Sequence, residues 1–409
     1  MSPEPVRAEL VEDRPSTGSG HGARRRIVIP WSDILITIAS IVLAFLVGAL
    51  LMIFSDTEVR SKFGYFFARP SDALIASWDK VSAAYAALIE GAIGGYGPIT
   101  ETTAQAAPLI CAGLGVGLAF RAGLFNIGAQ GQAILGAIVA AYIGFSWHLP
   151  PGIHLLLATV GGLLGGAFWG GIVGWLKART GAHEVIVTIM MNYIAAGLLA
   201  YLLTTVAFQR PGRPDPISPI VDWNATMPRL EGGQLHLGFL LALLAAVAVW
   251  WILDRSTTGF AIRAVGANPS AAATAGMSVA RTTIIAMFLA GALAGLAGVQ
   301  AALGPTASGV PVPLTLGIVG SIGFDAITVA LLGRSKPLGI VLAGLLFGAL
   351  HAGGLAMQSI AQTPLTLTTV LQALIVLFVA APALVTKIVP FLKPRRTRAL
   401  GPVPEGGLV

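Results

Sequence analysis

Apolar runs long enough for a membrane-crossing helix, roughly 20 residues for about 30 Å of hydrocarbon, alternate along this chain with short polar segments in which Arg, Pro and Gly recur. The runs fall at residues 34–54, 102–120, 124–144, 153–176, 185–207, 237–253, 283–303, 314–332, 338–357 and 367–388. They predict an all-α polytopic membrane protein with about ten transmembrane helices. Two polar segments carry further patterns. Residues 72–90 place Leu74, Trp78, Val81, Tyr85 and Leu88 at spacings of three and four, which suits a helix lying on the outer surface. Residues 208–236 are rich in Pro and Gly and read as an ordered cap. For both, a packed outer loop is favoured over a substrate gate.

Composition agrees with this class. The chain has 409 residues, 55% hydrophobic and 11% charged, with a mean hydropathy of +0.81. Its 51 glycines fit helices that approach closely where apolar burial supplies no drive. The formal charge of +7 would suit nucleic acid, but the basic residues stand at span ends, so topology accounts for them and no nucleic-acid partner is expected. With the N-terminus in the cytoplasm, Arg60, Lys62, Arg69, Lys80, Arg210, Arg213 and Arg229 are the only members of the 25 Lys and Arg left outside. They lie in the two longest loops, where the positive-inside rule is weakest. Both termini are then cytoplasmic. Residues 1–30, which include Arg24, Arg25 and Arg26, form a flexible tail; residues 31–390 form the transmembrane domain; residues 391–409 form a basic tail. Within the domain, 55–100 and 208–236 are outer loops and 254–282 is a cytoplasmic loop. The first apolar run is too long for a signal-peptide core and reads as a retained anchor. The single cysteine, Cys111, excludes an intramolecular disulfide and a cysteine metal cluster.

Catalytic signatures are missing from the sequence. It contains no G-x-x-x-x-G-K-[ST], so no P-loop ATP site is expected, and no H-E-x-x-H or G-x-S-x-G. Its six histidines are scattered, and no metal or cofactor bound by this chain is expected. The informative polar positions lie inside the spans. Between the second and third runs, Asn126, Gln130 and Gln132 sit among Gly123, Gly128 and Gly131. Backbone at membrane depth can leave the helix only where protein or a water-filled cavity satisfies it. Asn126 and Gln130, four apart, would share a face, and a pathway lining is preferred over interhelical hydrogen bonding. In the fifth span Glu184, Thr188 and Asn192 form one polar stripe. For Glu184 a capping or inter-subunit role is favoured over substrate contact, while Asn192 lies deeper and is a pathway candidate. Asp325, in the eighth span, would cost roughly 2.5–3.5 kcal/mol to insert and so should face a partner inside the bundle. Functional and structural readings of it stand level, and it would sit shallower if the helix broke at Gly320 or Gly323. Glycines 161, 162, 165, 166, 170, 171 and 174 of the fourth span make a close-packing face, with contact inside one chain favoured over a dimer seam.

Residues 264–277, A-V-G-A-N-P-S-A-A-A-T-A-G-M, read as one short helix. Asn268 suits the N-cap, Pro269 the first helical position and Gly276 the stop. About two turns of helix on a loop cannot bury a core, so its expected use is to be gripped by another protein. An ion-driven transporter would need acid or base pairs in the membrane, and Asp325 is the one good deep candidate. A membrane enzyme would need a catalytic cluster, and the adjacent pair His183–Glu184 has no third member.

Four segments, 123–132, 180–194, 257–277 and 323–333, together resemble the permease subunits of ATP-binding-cassette (ABC) importers of the branched-chain amino acid, ribose and nucleoside group, most of all the nucleoside branch. The resemblance implies a pathway for a nucleoside, or alternatively a simple sugar such as ribose, in a bacterial cytoplasmic membrane. It implies as partners a separate ATPase subunit that uses ATP and Mg, a second and shorter permease, and an extracytoplasmic substrate-binding lipoprotein. Asn268, Pro269, Ala272, Ala273 and Gly276 would belong to the coupling helix seated in the ATPase, with Arg263 and Gly266 orienting it. The pathway candidates remain Asn126, Gln130, Gln132, Asn192 and Asp325. A five-plus-five inverted repeat is implied too, and the likeness of 123–137 to 320–334 agrees weakly with it. His183, where the branch is expected to carry Asn, departs from the pattern at a helix start.

Overall fold

A computed structural model describes residues 31–388 except 231, 232 and 307; the expected tails at 1–30, with Arg24, Arg25 and Arg26, and at 391–409 lie outside the described residues. The chain runs through α1 (Trp31–Ser55), α2 (Thr57–Phe63), α3 (Pro70–Ile93), α4 (Tyr96–Arg121), α5 (Ala129–Ser146), α6 (Ile153–Thr180) and α7 (Glu184–Leu202). After the outer cap follow α8 (Leu237–Arg255), α9 (Thr257–Ala267), α10 (Pro269–Thr274), α11 (Val279–Leu303), α12 (Ile322–Leu332), α13 (Pro337–Ala361), α14 (Leu365–Ala380) and α15 (Pro382–Ile388). Among the described residues there is no β-strand, only two isolated bridges.

Eight of these helices are long and apolar enough to cross a membrane: α1, α4, α5, α6, α7, α8, α11 and α13. The other two expected spans are shorter. The run 314–332 is helical only as α12, because Gly320 adopts a positive φ of 52° and turns the chain just before it. The run 367–388 divides at Ala381, and Pro382 opens α15.

The core is centred on α11, which packs on α6, α5 and α4, with α13 completing the layer against α4. Small residues set the spacing. A Cβ on Gly166 would collide with the Gly291 carbonyl, and one on Gly291 with that of Gly166. The α6 glycines thus bury one face against α11 within this chain, while Gly161 and Gly165 of the adjoining face meet Val139 and Ile143 of α5. This is the close-packing expected of a small-residue seam. A second cluster joins α1, α3, α13 and α14 through Ala44, Ala84, Leu88, Leu350, Met357 and Leu371.

α3 packs lengthwise on α13, burying Ala73, Ser77, Ala84, Ala87, Leu88 and Ala92; of the expected apolar stripe Leu88 is buried and Tyr85 partly so, while Leu74 and Trp78 stay exposed. Close contact favours the small-residue face, since a Cβ on Gly353 of α13 would strike the Leu88 carbonyl. Residues 208–230 and 233–236 pack as an ordered segment against the bundle. Ser218 exchanges bonds with Leu314, its N–H donating to the carbonyl (3.1 Å) and its hydroxyl accepting from the N–H (2.9 Å). The Met227 N–H donates to the Leu303 carbonyl (2.9 Å) and the Asp222 N–H to that of Gly144 (2.8 Å).

Candidate functional site

The site begins where α4 ends. Arg121 closes α4 with its Nε donating to the Ser335 carbonyl (3.0 Å), just beyond the far end of α12. Gly123 (φ 71°) then turns the chain, and residues 124–128 travel without regular helix until α5 starts at Ala129. α12 has 11 residues and rises about 16 Å, roughly half the 30 Å hydrocarbon thickness. The start of α5 lies level with the start of α12, because Gln130 joins them. Its Nε2 donates to the Gly320 carbonyl (2.6 Å) and its Oε1 accepts the Gly323 N–H (2.8 Å). The half-length α12 and the full-length α5 therefore meet at their starts, held by one half-buried amide.

Asn126 and Gln130 do not share a face. Asn126 precedes the helix, so the four-residue spacing carries no helical geometry. It is fully buried behind the junction, where its Nδ2 donates to Gln132 Oε1 (3.0 Å), the Gln132 Nε2 donates to its Oδ1 (3.2 Å), and the Gly128 N–H donates to that same oxygen (3.0 Å). Asn192 of α7 completes the set. Its Oδ1 accepts the Gly131 N–H (2.8 Å) and its Nδ2 donates to the Ile127 carbonyl (3.0 Å). Buried backbone freed from a helix must find such partners. Asn126, Gln132 and Asn192 thus hold the unwound segment from behind. Only Gln130 faces the accessible side, where Gly317, Gly320 and Ser321 are exposed.

Asp325 lies in the first turn of α12, its Oδ2 accepting from the Ser321 hydroxyl (2.6 Å). The break at Gly320 puts it at a helix N-terminus, where a carboxylate meets favourable backbone dipoles. Glu184, in the first turn of α7, pairs with Lys177 at the end of α6, and its charge there complements the helix dipole. Thr188 packs beside Gly128 and donates to the Val185 carbonyl (3.0 Å).

The segment expected to form one helix over 264–277 contains two. Asn268 ends α9 and caps α10, its Oδ1 accepting the Ala271 N–H (3.0 Å), with Pro269 in the first position. The chain leaves through Gly276 at φ 83°. Residues 264–267 belong to α9, whose eleven-residue length the loop reading missed. Ala272 is buried against its own chain, while Ala271, Ala273, Thr274 and Ala275 are exposed. Gly266 presses on the end of α4, where a Cβ would strike the Arg121 carbonyl, and Gly123 lies against Gly266 as well. Arg263 stands on α9 with its Nη1 3.8 Å from Asp254 Oδ1.

Two features escaped the sequence reading. The exposed backbone at Gly317–Ser321 follows Pro305, Pro311 and Pro313, a Pro and Gly cluster that signals unwinding. The Gln300 amide of α11 is buried and donates to the Gly238 carbonyl (3.1 Å) and to Cys111 Sγ (3.2 Å); a lone amide in an apolar run was its signal.

An all-helical bundle of apolar spans, with a half-length helix joined to a full span through one amide and a capped helix on a connecting loop, suits a transport permease. The chain belongs to the family of branched-chain amino acid transport system permease components, which matches residues 99–380. It is 38% identical to the guanosine ABC transporter permease protein of Bacillus subtilis strain 168, over 86% of this chain and 94% of that protein. It is 34% identical to the nucleoside ABC transporter permease protein of Lactococcus lactis subsp. cremoris, over 88% and 94%. A glucose ABC transporter permease protein of Haloferax volcanii is 35% identical, over 68% and 75%. No solved structure matches the chain.

Proposed function

We propose that this chain is the membrane-spanning permease subunit of an ATP-driven importer and forms part of the pathway for a nucleoside. The observation that carries the pathway is the junction of α5 and α12. There the exposed residues Gly317, Gly320 and Ser321 lie outside regular helix beside Gln130, their carbonyls taken up by the Gly320 N–H, the Gln130 amide and the first turn of α12. A small, polar face of this kind set beside an amide suits water or a polar solute rather than lipid. Gln130 meets the solute, Asp325 holds Ser321, and Asn126, Gln132 and Asn192 keep the break in shape. The chemistry presented is neutral and polar, which suits a nucleoside; the guanosine and nucleoside permeases among its relatives favour that substrate, and the glucose permease supports a simple sugar as the second reading.

In this reading α10 is the coupling helix. Asn268 and Pro269 shape it, Ala273 and Gly276 face a cleft of a separate ATPase that carries the ATP and Mg, Ala272 supports it from within, and Arg263 and Gly266 orient it. A second permease, with a five-plus-five inverted repeat in each subunit, completes the pathway. An extracytoplasmic binding lipoprotein supplies substrate. Both termini face the cytoplasm, in a bacterial inner membrane. The test is uptake of radiolabelled uridine by cells with and without the gene, with unlabelled guanosine, ribose and leucine as competitors. Loss of uptake on deletion, competed by guanosine alone, is the expected result; competition by ribose would move the substrate to sugars. Ala273→Arg should abolish uptake while the protein still inserts, and normal uptake by that variant would remove α10 from coupling.

A further inference from the structure

Beside the α9–α10 module lies a cavity of about 290 Å³, between the ends of α4 and α8 and the start of α13. Arg121, Arg263 and Lys336 line it, with Asp254 as the carboxylate among its lining residues. Asp254 is poor compensation. At 3.8 Å it forms an ion pair with Arg263 that is too long for a hydrogen bond, and Arg263 Nη1 is buried with no hydrogen-bond partner. Arg121 spends its Nε on the Ser335 carbonyl, and Lys336 has no ion pair among the described residues. The rim is apolar and aromatic: Trp250 is 45% and Leu338 73% exposed, and the Arg255 guanidinium lies 5.9 Å from the Trp250 ring centre. Trp and Arg together at a helix end mark the membrane interface.

We infer that this cavity is a binding site for the phosphate of an anionic phospholipid, gripped by Arg121, Arg263 and Lys336 with its acyl chains lying over Trp250 and Leu338. The charge balance asks for a phosphate, for which guanidinium groups are the suited partners, and basic pockets between transmembrane helices hold anionic headgroups. The apolar rim selects a lipid over a free anion. The bound phosphate would tie α9 to α4 and α13, making the seat of the coupling module sensitive to lipid composition. The site requires only that the chain spans a bilayer, so its loss would leave the transport reading standing.

The test is native mass spectrometry of the full-length chain titrated with phosphatidylglycerol or phosphatidylcholine of the same acyl length. The wild type should retain phosphatidylglycerol with roughly tenfold preference, equivalent to about 1.4 kcal/mol. Lys336→Gln, at an exposed position that tolerates substitution, should shrink that preference severalfold, and Arg263→Gln with Lys336→Gln should erase it. Arg179→Gln, a cation remote from the cavity, should leave it intact. Equal retention of the two lipids, or a preference that survives the double variant, would overturn the site. Full displacement of phosphatidylglycerol by millimolar inorganic phosphate would overturn the lipid in favour of a free anion.

Discussion

The α6–α11 seam and the α5–α12 junction both rest on glycine, and they use it for opposite ends. Along the seam Gly166 and Gly291 let two unbroken helices touch backbone to backbone. Every peptide group there keeps its own helical partner, so closeness leaves no polar group over. At the junction Gly123 and Gly320 take positive φ, one turning the chain after α4 and the other just before α12. Peptide groups are released, and amide side chains take up some of them from one side. The other side stays open. Small residues thus make a rigid wall where the helix continues and a hydrophilic opening where it stops.

The largest expected effect comes from forcing the wall apart. Gly291→Leu drives a side chain into the Gly166 carbonyl and should cost more than about 3 kcal/mol, beyond the usual overpacking range. No monodisperse protein should elute on size-exclusion chromatography; a well-behaved Gly291→Leu protein would mean that the seam is looser than the contacts imply. Next is the back of the junction. Asn192→Leu strands the Gly131 N–H and the Ile127 carbonyl, a loss of about 1–3 kcal/mol readable as a lower thermal midpoint. A midpoint equal to that of the wild type would show that water replaces the amide.

The open side should separate function from stability. Gln130→Leu removes two bonds at a half-buried position and should change stability by about 1 kcal/mol or less. Uptake should nonetheless fall roughly tenfold, the rate equivalent of about 1.4 kcal/mol. Equal uptake would take Gln130 out of the pathway. A separate effect, read against pH, concerns the outer cap, away from both glycine sites. His236 caps α8 by accepting the Gly238 N–H at Nδ1 (3.1 Å), which requires a neutral ring. Burial first, then the Arg229 charge, push its pKa down from 6.5 to about 4. The unfolded chain takes up the proton first, so the cap's full stability is present above pH 6.5 and is lost progressively as pH falls from 6.5 to about 4. His236→Asn should flatten that dependence in thermal melts taken across the interval.

Much of the wall was legible in the sequence because a full-length span announces itself by hydropathy and its seam by G-x-x-x-G spacing. The capped α10 was equally plain from Asn268, Pro269 and Gly276, since cap geometry is local. The junction was only half legible. Asn126, Gln130 and Gln132 stood out as polar residues in an apolar run, but helical spacing misassigned their faces, because Asn126 stands in the unwound stretch where that periodicity does not apply. α3 was legible as a helix, but its stripe divides: Leu88 is buried while Leu74 and Trp78 stay exposed, because tight packing on α13 selects the alanine face. Hydropathy ranks faces by their appetite for water, and in a close helix contact fit decides instead.

Gly266 gives the molecule a mechanical property. It is pressed against the end of α4 at Arg121 and against Gly123, with no side chain to cushion the contact. On the coupling role proposed for α10, a push on it would have little slack to take up: α9 would transmit it to Arg121 and Gly123, and the short strap 124–128 would pass it on to Gln130. In that reading the protein is geared, a lever on the surface meshed through one tooth to a latch at the α5–α12 junction. Blunting that tooth, even by a methyl group, should leave lever and latch intact but turning independently.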